Sequence, residues 1–139
     1  MALMAETDRI EMSWIVNGKP KEVFDHWLSS DGHAAMTGGG AEVDATEGGR
    51  FTAWGGYIQG VTKKIERRER RIVQTWRTME FAKKAPDSRI EIQMRALKGK
   101  TQVMLKHTKL QKGDGAKYTT GWYEHYLQPM VAYFEEKNG

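Results

Sequence analysis

The chain contains no cysteine. That absence removes structural disulfides, thiolate zinc sites and cysteine nucleophiles together, and it suits a reducing cytoplasm, the location expected here. Proline is scarce, three in 139 residues, and no Pro/Ser-rich linker, repeat or low-complexity tract breaks the sequence. The whole of 1–139 therefore reads as one domain, with its core over about 10–135. Long apolar runs are missing too. No stretch approaches the roughly 18 residues of a membrane span, and MALMAETDRI has neither an apolar run before Glu6 nor a cleavage site of the secretory kind. Membrane insertion is not expected. Lys and Arg number 22 against 18 Asp and Glu, a formal charge of +4, which is too small an excess to indicate a nucleic-acid partner. A chain of this length buries about two-thirds of its unfolded surface, so one core needs neither metal nor disulfide.

What is present is alternation. In RIEMSWIVNG, Ile10, Met12, Trp14 and Val16 share one face of a strand that Asn17-Gly18 ends. Lys19-Pro20 opens a short helix with Val23, Phe24, Trp27 and Leu28 as its apolar stripe. SSDGHAAM reads as a second helix capped by Ser30 or Asp31, and TGGG stops it. Strands follow at 41–44, 49–54, 57–65, 71–79, 88–97 and 101–110. QKGDGAKYTT reads as a polar loop. The end reads as one long helix with Tyr123, Leu127, Met130 and Phe134 on its buried stripe, bent at Pro129. Strands joined by short turns make an antiparallel meander, and the helix belongs across its concave face. The expected class is α+β in two layers, with space between them where the sheet curves strongly.

The glycine-rich GGRFTAWGGYIQG at 48–60 is followed by a strand. A phosphate loop needs a helix there, and neither GxxxxGK[ST] nor a helix-opening GxGxxG occurs. Its glycines therefore read as turns and curvature. The order of GGRF, IVQTWR, KGKTQVMLKHT and GWYEHYL resembles the activator of heat-shock-protein-90 ATPase homologue family, over about Ile10 to Phe134. That family belongs to the START-like (SRPBCC) superfamily. The resemblance implies the helix-grip fold: a curved antiparallel sheet gripping a C-terminal helix over an apolar cavity. It also implies two kinds of relative, co-chaperones carrying this domain behind another one and free-standing small proteins. At 139 residues the chain is expected to be of the second kind.

The candidate cavity residues are Trp14, Trp54, Trp76, Met94, His107, Trp122 and Tyr126, large side chains on elements facing the groove of such a fold. Their expected partner is a small apolar ligand, and no cofactor is implied. His107 alternates with Val103 and Leu105 and so points inward, without an Asp or Ser partner at a recognisable spacing. His26 and His33 are poorly spaced for a metal, and His125, beside Glu124, is expected to face solvent. Asp25, Asp31, Asp44 and Glu47 fall where carboxylates cap helices and turns. KKIERRERR at 63–71 reads as a solvated hairpin of mixed charge. Its Lys63, Lys64, Arg67 and Arg68 form the candidate surface for a partner, with a chaperone of the heat-shock-protein-90 type as the alternative to a small ligand. With no nucleophile, dyad or metal set in view, an enzyme of the cyclase or hydrolase kind ranks last.

Overall fold

The computed structural model describes residues 6–139, so the start Met1–Ala5 lies outside the described residues. Seven strands form one antiparallel sheet: β1 (Thr7–Val16), β2 (Glu42–Val43), β3 (Arg50–Ala53), β4 (Ile58–Glu66), β5 (Arg71–Thr78), β6 (Ser88–Leu97) and β7 (Lys100–Gln111). Their order across the sheet is β1-β7-β6-β5-β4-β3-β2. From β2 to β7 this is the expected meander, and β1 closes it by pairing with the last strand, Trp14 opposite Val103 and Val16 opposite Thr101. Between β1 and β2 lie α1 (Pro20–Trp27) and α2 (Ser30–Thr37). Proline sits in the first turn of α1, where its missing N–H costs nothing. The cap of α2 is Ser29, whose hydroxyl accepts from the Gly32 N–H at 3.0 Å, rather than Ser30 or Asp31. Ser30 Oγ instead accepts from the Val43 N–H and ties α2 to β2.

The sheet bends within β4. Val61 N–H donates to the Thr75 hydroxyl at 2.8 Å, and a bulge follows between Thr62 and Lys64. Beside it, Thr62 exchanges hydrogen bonds with Gly48 and Gly49 at 2.7 and 2.8 Å. Bulges increase local twist and curve a strand, so β3 and β4 fold towards the helical layer.

The C-terminal helix begins earlier than the sequence suggests. QKGDGAKYTT ends in helix, because α3 (Gly115–Trp122) starts inside it. Asp8 pins the turn ahead of α3, its carboxylate accepting from the Gly113 and Gly115 N–H groups at 2.9 and 2.8 Å. A π-helical turn, Tyr123–Leu127, leads into α4 (Gln128–Asn138). The buried stripe is Tyr118, Trp122, Tyr126, Met130 and Phe134. Tyr123 is 47% exposed and Leu127 only half-buried, which corrects the stripe expected from an unbroken α-helix. The spacing of four explains why. In an α-helix such positions drift by about 40° per step, and the slower winding of a π turn brings Met130 and Phe134 back over the sheet. Pro129 lies in the first turn of α4, one residue beyond the π turn. Among the described residues no helix is long and apolar enough to cross a membrane.

Candidate functional site

A groove of about 320 Å³ opens between the C-terminal helix and the bent part of the sheet. The sheet side contributes Tyr57, Ile58 and Trp76, and the turn after β3 contributes Trp54. The helix contributes Lys117, Tyr118, Gly121, Trp122, His125 and Tyr126. Of the seven cavity candidates the groove gathers Trp54, Trp76, Trp122 and Tyr126. Trp14 and Met94 are packed in the core, at 5% and 2% exposure, and His107 lies fully buried behind the groove wall. The sequence reading picked large side chains on elements that such a fold places near the groove, which does not say where along those elements the packing leaves room. Tyr57, Ile58, Lys117, Tyr118, Gly121 and His125 were missed. The four-residue spacing of Tyr118, Trp122 and Tyr126 was a signal available for one of them.

Trp54 forms the outer wall of the groove. It opens a three-residue 3-10 turn, Trp54–Gly56, with positive φ at all three residues: 52°, 67° and 94°. For a bulky residue the left-handed conformation is an outlier that costs about 1–3 kcal/mol. Its ring lies against Gly39, where an added Cβ would stand 2.5 Å from Cδ2, so only glycine fits beneath it. The His125 ring meets it edge to face at 4.8 Å. His125 is thus exposed, as expected, and also part of the groove wall. The Trp54 indole N–H is buried without a hydrogen-bond partner among the described residues, a further cost of about 1–3 kcal/mol. Trp14 carries a second such N–H in the core.

Several other polar groups of the wall are engaged. Glu80 bridges the mouth, accepting from Lys117 Nζ at 2.6 Å and from the Tyr57 hydroxyl. Burial and the Glu80 bond push the Tyr57 phenol up to about 12. The Tyr118 hydroxyl pairs with Thr78 at 2.7 Å.

Two buried histidines lie behind the groove, and their partners fix their tautomers. The Trp122 indole N–H can only donate; it donates to His107 Nδ1 at 3.0 Å. The His107 proton is therefore on Nε2, which donates to Ser88 Oγ at 2.7 Å, and Ser88 in turn donates to the Trp76 carbonyl at 2.9 Å. Ser88 and His107 have the spacing of a nucleophile and its base with the proton running the opposite way. The histidine's one lone pair is occupied, so this pair cannot deprotonate the serine. His33 is held the same way: Nδ1–H donates to the Trp27 carbonyl at 2.9 Å, and Nε2 accepts from the Tyr126 hydroxyl at 2.8 Å. Burial lowers the imidazole pKa to about 4 in His33 and about 3 in His107, and raises the Tyr126 phenol. Both histidines are neutral parts of the packing. Trp122 lies in the same cluster, stacked on Trp76 at 5.7 Å and on Trp27 at 6.5 Å.

Elsewhere, His26 Nε2 reaches the Tyr133 hydroxyl at 3.1 Å, away from His33. Among the described residues no three metal-ligating side chains cluster. Asp25 pairs with Lys21, Asp44 accepts from the Thr46 hydroxyl, and Glu47 accepts from the Ile65 N–H. Lys63, Lys64, Arg67 and Arg68 are exposed around the β4–β5 hairpin, and none forms an ion pair among the described residues. The Arg67 guanidinium lies over the Phe24 ring at 5.9 Å.

Comparison with known proteins agrees with this architecture. The family model described as Activator of Hsp90 ATPase homolog 1-like protein matches residues 17–135. An activator of 90 kDa heat shock protein ATPase homolog from Dictyostelium discoideum is 30% identical over 110 residues, 78% of this chain, and the match spans 28% of that protein's length. An HSP90 activator from Plasmodium falciparum superposes with a TM-score of 0.77 at 20% identity, over 89% of this chain and 94% of that one. The Aha1 dimer from Colwellia psychrerythraea gives 0.76 at 14% identity, over 95% and 99%. These two likenesses confirm the α+β helix-grip fold. The match over residues 17–135 places the chain in the Activator of Hsp90 ATPase homolog 1-like family.

Proposed function

We propose that this chain is a binding domain that takes a small, largely apolar ligand into the groove between the C-terminal helix and β4. The observation that carries the reading is the lining: about 320 Å³ faced by Trp54, Tyr57, Trp76, Tyr118, Trp122 and Tyr126, with no carboxylate among the residues that face it. The volume sits at the lower end of small-molecule sites, which are mostly apolar with a few placed polar groups. Burial of aromatic and aliphatic surface supplies the affinity, at roughly 25 cal/mol per Å² removed from water before ordering costs.

Gly121 offers a clean test. It lines the groove, and a Cβ added there meets nothing within 4 Å. Gly121→Leu is expected to fill the space and abolish binding of a naphthalene-sized probe, read by chemical-shift mapping at Ile58 and Tyr118. Thermal stability should hold or rise, since glycine inside a helix is worse than leucine by somewhat under 1 kcal/mol. Unchanged probe binding in this variant refutes the groove as the site.

A second reading has its own support. The relatives named as activators of the 90 kDa heat shock protein ATPase, together with the exposed Lys63, Lys64, Arg67 and Arg68, favour docking to an acidic face of such a chaperone. Reversing all four charges to Glu should abolish stimulation of the chaperone's ATPase and leave the thermal midpoint within a few degrees. Full stimulation by the reversed variant rules this surface out.

A further inference from the structure

Trp54 is held in place at two separate costs, its positive φ and its sealed indole N–H, unpartnered among the described residues. Trp14 shares only the second, on ordinary strand backbone inside the core. What holds Trp54 is light: the seat on Gly39, the edge contact with His125, and two backbone bonds at its turn, from the Gly55 N–H to the Gly40 carbonyl at 2.9 Å and from the Tyr57 N–H to the Trp54 carbonyl at 3.2 Å. Gly55 and Gly56 follow it directly and allow the backbone to move where other residues would resist. Several other donors of the wall are committed within the protein, Tyr57 and Lys117 to Glu80, Tyr118 to Thr78, Trp122 to His107 and Tyr126 to His33. Among the described residues, the Trp54 N–H is the donor of the groove wall that is both sealed from solvent and unpaired.

We propose that Trp54 is a movable lid whose occupant is a planar aromatic molecule carrying a hydrogen-bond acceptor. Entry of the ring system lifts Trp54 off Gly39, and the freed indole N–H donates to the acceptor. This inference rests on the groove being the binding site, and it adds the ligand's chemistry and the residue that selects it. The acceptor needs no charge, because a single N–H is the group to be satisfied. A ligand of the same shape without an acceptor opens the lid but leaves that donor unpaired, so it binds less tightly.

The test compares 2-acetylnaphthalene with 2-isopropylnaphthalene, which share shape and differ in the acceptor. The acetyl compound is expected to bind roughly tenfold more tightly and to move the Trp54 indole signal downfield in ¹⁵N spectra. In Trp54→Phe, which keeps an aromatic lid without the N–H, the two compounds should bind alike. If the wild type binds both equally, with the Trp54 signal unmoved while the Ile58 and Gly121 amides shift, the groove stands and the lid is refuted. If neither compound shifts those amides, the groove reading has failed and the lid falls with it.

Discussion

Gly60→Ala is expected to be the most damaging single-methyl change in the molecule. A Cβ at position 60 would stand 1.9 Å from the Thr75 carbonyl oxygen and 2.7 Å from Cε1 of Phe51, its cross-strand partner on β3. The first contact is with backbone, so no rotamer change relieves it. β4 and β5 would have to part at the point where the sheet already bends and where Val61 has given up a carbonyl for the Thr75 hydroxyl. Overpacking usually costs 1–3 kcal/mol; with a rigid strand as the obstacle, about 4 kcal/mol is expected, a large share of the 5–15 kcal/mol available to such a domain. Urea denaturation should show the midpoint falling accordingly, with a thermal midpoint lower by roughly 15 °C. A variant within 1 kcal/mol of wild type would mean that the two strands separate cheaply.

Acid should destabilise the fold well before the carboxylates titrate. His33 and His107 hold pKa values near 4 and 3 in the folded state, whereas an unfolded chain's histidines titrate near 6.5. Between those limits the unfolded state binds more protons, so stability is complete above about pH 6.5 and falls as pH drops towards the folded values. At pH 4.5 the loss is on the order of 2–3 kcal/mol for each residue, on the order of 5 kcal/mol together. The groups bonded to the two rings are Trp27, Tyr126, Ser88 and Trp122, none of them a carboxylate that would stabilise an imidazolium. Glu22, whose pKa is lowered despite burial by its bonds to Lys137 and Asn138, adds its own loss only below about pH 4.5. The measurement is unfolding free energy by urea from pH 7.5 to 4.5, alongside ring-proton titration of both histidines. A flat profile down to pH 5, or either ring titrating near 6.5, contradicts the buried neutral state.

Most of the fold was legible because its signals are local. Ile10, Trp14 and Val16 alternate into the core as read, and Val23, Phe24, Trp27 and Leu28 are all buried. The helical stripe was misplaced because Tyr123 and Leu127 fit an α-helical period and nothing short-range announces a π turn. The clue was longer, five large residues at intervals of four. The α3 start was hidden because its organiser, Asp8, lies more than a hundred residues away in the chain. The candidate site was legible only by face. Whether Met94 or Tyr118 meets open space depends on where the sheet departs from the helix, and Gly60 and the bulge after Thr62 decide that through cross-strand geometry. Lys117 and Tyr57 belong to the groove mouth through Glu80, a connection that no spacing encodes.

The pairing of β1 with β7 also sets a timetable for synthesis. Thr7 finds its partner Gln111 only after the rest of the sheet's strands have emerged. At about 5–20 residues per second, the first strand waits on the order of 5–20 s for its place. Loop closure over that span makes the pairing late and slow compared with the hairpins between consecutive strands. Throughout that interval Ile10, Trp14 and Val16 have no sheet to cover them. A nascent chain of this protein therefore keeps that apolar face of β1 uncovered until β7 has left the ribosome.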